Sequence, residues 1–218
     1  MIKAVLTGDV ENSTDLDAAE LQALIGLLRE ELDAAKSAGL VENLAFYRGD
    51  SFQLIVPDPA MALDLALALK TRVQFGMEPE GDKTRLKTRY DVALSVGLGE
   101  LGSPKELTTA HELPFRLSGR GLDELKKNKR TLGVFTGNEA ADAQFDALLF
   151  LYDWIMQQWT VAGAEVVYHK LRGLTEQDIA ALLGISQPAA NQRSRASCWN
   201  GWKKIQAQYA QLLEARYG

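Results

Sequence analysis

Apolar and polar positions along the first 137 residues predict short strands alternating with helices. "IKAVLTG", residues 2–8, is a buried-strand run. "LDAAELQALIGLLREELDAAKSAG", residues 16–39, keeps leucine and alanine at helical spacing. Ser13 or Thr14 is placed to cap it, Asp17 lies near its positive end, and Gly39 stops it. "LVENLAFY" and "SFQLIVP" predict a strand pair around a turn at Arg48–Gly49–Asp50. Asp58 as N-cap and Pro59 in the first turn open the helix "AMALDLALALKTRVQF". The polar run "GMEPEGDKTR" predicts a loop, "LKTRYDVALSVGLG" a strand, "HELPFRLSGRGLDELKK" a helix in its second half, and "RTLGVFT" a last strand. The order β-α-β-β-α-β, then a helix and one more strand, predicts an α/β (α+β) ferredoxin-like or palm sheet with its helices on one face.

At "GNEAADAQ", residues 137–144, the pattern changes. From there "FDALLFLYDWIMQQW", "VAGAEVVYHKLRG", "TEQDIAALLG" and "SQPAANQRSRASCWNGWKKIQAQYAQLLEARY" all carry helical spacing. The expected organisation is an α/β domain over 1–137 and an all-α domain over 143–218, with a helix-turn-helix at 174–199.

The sharpest local pattern is "GLTEQDIAALLGISQPAANQRSRA", residues 173–196. Thr175 caps a short helix whose Ile179, Leu182 and Leu183 are expected to share a core. Gly184 supplies the turn, Ile185 anchors it, Ser186 caps the second helix, and Pro188 falls in that helix's first turn. A helix-turn-helix places its second helix in the DNA major groove. Gln187, Asn191, Gln192, Arg193 and Arg195 are then the base-facing candidates, with Lys203 and Lys204 for phosphates. The alternative is an ordinary helical hairpin with a solvated basic face. The stretch resembles the DNA-binding motif of sigma-factor-like and response-regulator-like domains. Trp199 and Trp202, three apart, fit a core or a dimer interface better than a base-stacking platform. Cys198 beside them fits a small buried apolar residue.

Charge sharpens this reading. The chain of 218 residues has a net charge of −5, which argues against a protein that coats nucleic acid along its whole surface. From Ser186 to Lys204, however, there are four basic residues and no acidic one, a local stripe suited to phosphate. One cysteine excludes an internal disulfide, and His111 with His169 gives no zinc spacing. No secretory signal and no membrane-spanning run is apparent, so a cytoplasmic protein without a membrane partner is expected.

The remaining chemistry lies in the first half. Asp9 ends the first strand, Asp50 opens the third, and a ferredoxin-like sheet makes those strands neighbours. Two carboxylates so placed suit Mg²⁺ or Mn²⁺ with a nucleotide triphosphate. Gly-Asp is also a good turn pair, and that reading stays open. "GLGELG", residues 97–102, satisfies a dinucleotide-binding pattern but lacks the helix and parallel βαβ context such a site requires.

"LTGDVENST", "FYRGDSFQLIV", "ALSVGLGE" and "PFRLSGRGLDEL" resemble the landmarks of class III nucleotide cyclase domains. They are closer still to the SatD-like family, which shares "TGD", "RGDSFQ" and "SGR". The resemblance implies a cyclase-like fold, Asp9 and Asp50 as metal ligands, and Arg120 as the residue facing transition-state charge. Two positions depart from it. Phe46 stands where cyclases carry the purine-reading lysine, and Arg116 where they carry the ribose-positioning asparagine. Cyclization of ATP or GTP is therefore expected to be crippled. The expectation for the whole chain is a homodimeric regulator that binds double-stranded DNA, its first half dimerising and sensing a metal or nucleotide. The alternative is a metal-dependent nucleotide-processing enzyme with a helical scaffold.

Overall fold

A computed structural model of the chain describes residues 1–47, 49–77, 83–102 and 112–217. The predicted loop at 76–85, the start of the run at 111, His111 and turn residue Arg48 therefore lie wholly or partly outside the described residues. The first half runs β1 (Ile2–Val10), α1 (Ala18–Ser37), β2 (Leu44–Tyr47), β3 (Ser51–Val56), α2 (Ala62–Gly76), β4 (Val92–Glu100), α3 (Leu113–Lys127) and β5 (Leu132–Phe135). The second half is α4 (Glu139–Met156), α5 (Val161–Leu171), α6 (Glu176–Leu183), α7 (Gln187–Ala196) and α8 (Trp199–Tyr217). The five strands form one mixed sheet in the order β2-β3-β1-β4-β5, antiparallel except for the parallel β4–β5 pair.

Two local readings are corrected. The N-cap of α1 is Asp17, whose side chain accepts from the Ala19 and Glu20 amides while Glu20 returns a bond to the Asp17 amide. This reciprocal box satisfies donors that Ser13 or Thr14 would leave free. Ser13 instead opens a short 3-10 turn and uses its hydroxyl elsewhere. α3 is helical from Leu113, well before the second half of its run, because Pro114 sits in the first turn where its missing N–H costs nothing.

The sheet buries both faces. Ala4 and Leu6 of β1, Leu54 and Val56 of β3, and Leu94 and Val96 of β4 join one large apolar cluster with α1 and α2. The alternate positions, Val5 and Ile55, pack with Phe115 of α3, and the Thr7 hydroxyl donates to Ser118 at 2.8 Å. The helices therefore do not share one face: α1 and α2 fill one side, and α3 covers the other, which a sheet of apolar strands must also hide from water. Glycine permits that close approach. A side chain at Gly97 would collide with the Pro114 carbonyl and Ser118 amide, and one at Gly121 with Phe135 and Ser95. The glycines of "GLGELG" thus include one that admits α3.

α2 is apolar around its circumference, with residues from Ala62 through Thr71 buried except Asp64. It is a central helix with the sheet on one side and α5 on the other. The large cluster continues past residue 137 into Phe145, Leu149 and Tyr152 of α4, Val167 of α5, and Trp202 and Tyr209 of α8. One apolar core thus joins the sheet to the helical half. No helix among the described residues is long and apolar enough to cross a membrane.

Inside this core lies a charge. Lys70 of α2 is fully buried, and its ammonium donates to Asp91 Oδ1 at 2.8 Å, the Val92 carbonyl at 3.0 Å and Thr131 Oγ1 at 2.7 Å. Thr131 in turn donates its hydroxyl to Asp153 Oδ1 at 2.5 Å and its amide to Oδ2 at 2.7 Å. Burial pushes the Asp91 carboxyl up, against the opposing pull of Lys70. Lys70→Ala leaves the Asp91 carboxylate without its cation, and a loss of about 2–3 kcal/mol is expected, less than for a wholly buried pair broken from one side because water still reaches Asp91. Urea unfolding at neutral pH measures it, and adding Asp91→Asn should recover part of the loss.

Candidate functional site

At one end of the sheet, antiparallel register sets Asp9 of β1 opposite Ser51 of β3, and Asp50 directly precedes that strand. The Ser51 hydroxyl donates to Asp9 Oδ1 and lies 3.4 Å from Asp50 Oδ1, so it spans the two carboxylates. Ser13 donates to Asp50 Oδ2 at 2.7 Å, which is where the hydroxyl freed from capping α1 goes. Asp9 is 8% exposed, and its other oxygen, Oδ2, accepts from the Lys126 ammonium at the end of α3. Next to the pair, burial and then the charge of Asp91 push the Glu11 carboxyl above its ordinary value.

Asp9 and Asp50 are thus brought together. Ser13, Ser51 and Lys126 belong to the same cluster; Ser13 was picked out in the sequence only as a cap, and the other two were not picked out. Ser51 follows directly on Asp50, and Lys126 belongs to a basic last helical turn, a common electrostatic preference that did not single it out. Arg120 is exposed on α3, six positions or about one and two-thirds turns before Lys126. It makes no hydrogen bond or ion pair with either aspartate among the described residues. Phe46 stacks on Phe52, and the Arg29 guanidinium lies 3.9 Å over its ring. Arg116 is exposed.

As the side chains stand, Lys126 pairs with Asp9, so a divalent cation at the two carboxylates would have to displace it; no group of three or more His, Cys, Asp or Glu residues is placed to share an ion among the described residues.

The second candidate is built by α6 and α7. Thr175 caps α6 in a box with Asp178: its hydroxyl accepts from the Asp178 amide at 3.2 Å, and its amide donates to the Asp178 carboxylate at 3.0 Å. The Thr175 hydroxyl bond holds the Asp178 carboxyl below its usual value, and Lys170, at 2.5 Å, does the same for Glu176. Gly184 takes the left-handed conformation, φ 63°, that a two-helix turn requires. Ser186 then accepts from the Ala189 amide to start α7. Val166 of α5, Ile179 and Ala180 of α6, and Ala190 of α7 form a small separate core, with Leu183 and Ile185 packed on it. Leu182 is not in that core. It is 58% exposed, and Ala180 is buried instead, because the inner arc runs from Ile179 through Leu183 to Ala180 and Leu182 lies about 60° beyond its Ile179 end.

Along α7, Ala190 and Ser194 face inward, whereas Gln187, Asn191 and Arg195 make an exposed row at four-residue steps beside the exposed Gln192. Arg193 is half-buried. It lines a cavity of about 340 Å³ with Gln192, Trp159, Thr160 and Ser197, on the side facing α5. Lys203 and Lys204 are exposed on α8. Thr175 and Ser186 are exposed, with their hydroxyls engaged as caps. Trp202 is fully buried and donates its indole N–H to Asp64 Oδ1 at 2.9 Å, and Trp199 is buried beside it. Cys198 is half-buried.

No protein-family model matches the chain, and no curated protein matches it. Among solved structures, the chain is similar to one described as the guanylyl cyclase Cya2, at 15% identity. The alignment covers 57% of this chain and 70% of that one, with a TM-score of 0.36. So weak a likeness carries no argument about what the chain does.

The Asp9–Lys126 pair generates a direct expectation. Titrated with Mn²⁺ and followed by water proton relaxation, the unaltered protein shows no site at the carboxylates. Lys126→Ala frees Asp9 and gains one, and adding Asp9→Asn removes it again.

Proposed function

We propose that the chain is a DNA-binding transcriptional regulator in which α7 reads the major groove and the cyclase-like sheet is its non-catalytic partner. The observation that carries the reading is the row Gln187–Asn191–Arg195, exposed on a helix held by two capped turns and a left-handed glycine. Asparagine and glutamine match the adenine edge, and arginine matches guanine. Exposed Lys203 and Lys204 suit phosphate, which positions the reading helix without specifying sequence. Arg193, turned towards the cavity beside α5, is assigned to the back of that helix rather than to base reading. Thr175 and Ser186 act through the helix starts that they cap. A homodimer reading two half-sites suits such a motif.

The first half is proposed as a ligand-responsive module, with pairing of the two copies assigned to the helical half. Its resemblance to cyclase domains lies in short motifs, and Phe46, Arg116 and the Lys126–Asp9 pair all count against turnover. A second reading, a metal-dependent nucleotide-processing enzyme, draws on the meeting of Asp9 and Asp50 across Ser51. It requires Lys126 to leave Asp9 and Arg120 to turn inward.

The test is binding to DNA from upstream of the protein's own gene and to a random-sequence library, across salt, with and without GTP or ATP and Mg²⁺. Specific binding whose log affinity falls linearly with log salt is expected. Asn191→Ala or Arg195→Ala should cost about 1–3 kcal/mol and relax preference at one position, while Lys204→Ala weakens all sequences alike and lowers the salt slope by about one. Failure to enrich any sequence overturns the regulator. A new nucleotide product that vanishes in Asp50→Ala would install the enzyme in its place.

A further inference from the structure

α4 presents an outward face that the described residues leave largely open, with the Arg130 guanidinium 4.9 Å over the Phe150 ring. Phe150 is 53% exposed, Leu151 60% and Trp154 60%. Ala143 and Ala147 continue the same face at helical spacing, and Gln158 lies in the turn just past the helix end; all three are exposed. From Ala143 to Gln158 the one exposed charge is Asp146, and the Arg130 guanidinium already holds it at 3.0 Å. Asp153 is buried in the network under Thr131. Beside the face, Leu148, Leu151 and Ile155 wall a groove of about 450 Å³ whose far side is Ile205 and Ala207 of α8.

We infer that this face is the contact between two copies of the chain, with their α4 helices antiparallel about a two-fold axis between Phe150 and Leu151. The pattern is symmetric in the way such a contact demands. Antiparallel pairing about that point sets Ala147 against Trp154 and Phe150 against Leu151. The small Ala147 of one copy meets the large Trp154 of the other, twice per interface, so the bulk of Trp154 fills the space that Ala147 leaves. A foreign partner would impose no such relation between the two ends of one helix.

Charge points the same way. A two-fold axis brings like groups of both copies close together, so a self-pairing face must carry little net charge at its centre. Here the exposed aspartate of α4 is neutralised within its own chain, and the charged residue lining the groove beside it is Lys204 of α8, away from the axis between Phe150 and Leu151.

Area agrees as well. Phe150, Leu151 and Trp154 together leave roughly 350 Å² exposed, given the size of such side chains. That lies within the range of the largest apolar patch on a monomer, a patch that is often functional. It is also nearly half of the roughly 800 Å² that one partner buries in a stable complex, and the alanines and groove walls on the same side add to it.

The inference stands on α4 alone, so a failure of DNA binding leaves it intact, and its own failure leaves the reading helix intact. The test is sedimentation of the full chain over a dilution series, with circular dichroism to confirm that each variant is folded. The unaltered protein should dissociate from dimer to monomer on dilution. Trp154→Asp, an exposed substitution, should raise the dissociation constant at least about thirtyfold, as expected for a hot-spot residue. In a Cys198→Ser background, chains carrying Ala147→Cys should form a disulfide when mixed with chains carrying Trp154→Cys. Neither should do so alone. A protein monomeric at every concentration, a dimer indifferent to Trp154→Asp, or a dimer in which the mixed cysteines fail to cross-link each overturns the proposal.

Discussion

The ammonium of Lys70 constrains more of this molecule than any other group. Moved out of water into the middle of the core, it demands several oxygens in fixed places, since a buried charge left short of partners costs several kcal/mol. Those oxygens come from Asp91 and Val92 at the start of β4 and Thr131 just before β5, and Thr131 is itself held by Asp153 of α4. A single side chain on α2 thereby fixes where the parallel strand pair begins and where the first helix after the sheet lies. Arg130 extends the arrangement to Asp146 at the surface. The two parts of the chain meet across a polar lock set inside apolar packing, which favours one docking geometry over its neighbours.

A second cation does related work at the sheet's far face. Lys126 reaches from the last turn of α3 to Asp9, and this places α3 over the odd positions of β1 and β4. The glycines at 97 and 121 let the backbones approach closely enough for that reach. Much of what the carboxylate edge can do follows from this packing choice. A helix that brings its own positive charge to an aspartate occupies the position where chemistry would need an exchangeable ion.

Much of this was legible beforehand. The order of strands and helices follows from apolar spacing, and the second helix of the pair at 176–196 is flagged by Ser186 and Pro188, the turn by Gly184. The approach of Asp9 to Asp50 follows from strand adjacency alone. Other features were hidden because they depend on contacts distant in sequence. Periodicity marks α3 as amphipathic but not which face of the sheet it covers. Lys70 sits in a run of alanine and leucine, and nothing local distinguishes a buried lysine from one that snorkels out to solvent. Leu182 obeys the helical rule for a core residue and is exposed, since a two-turn helix has only a narrow inner arc. The difference between Arg193 and Arg195 likewise turns on a half-turn of phase that only the packing against α5 sets.

The small core beneath α6 and α7 has a consequence of its own. Val166, Ile179, Ala180 and Ala190 form a patch separate from the cluster that runs through the rest of the chain. Two of those four are alanines, and the larger residues that pack on them, Leu174, Leu183 and Ile185, are only partly buried, so less apolar surface holds the pair down than holds the main core. Such a segment opens far more readily than the body it sits on, and its amides exchange with solvent through local rather than global unfolding. The α6–α7 pair is therefore a semi-independent cooperative unit: any partner that gripped it would also supply part of the free energy that keeps it ordered.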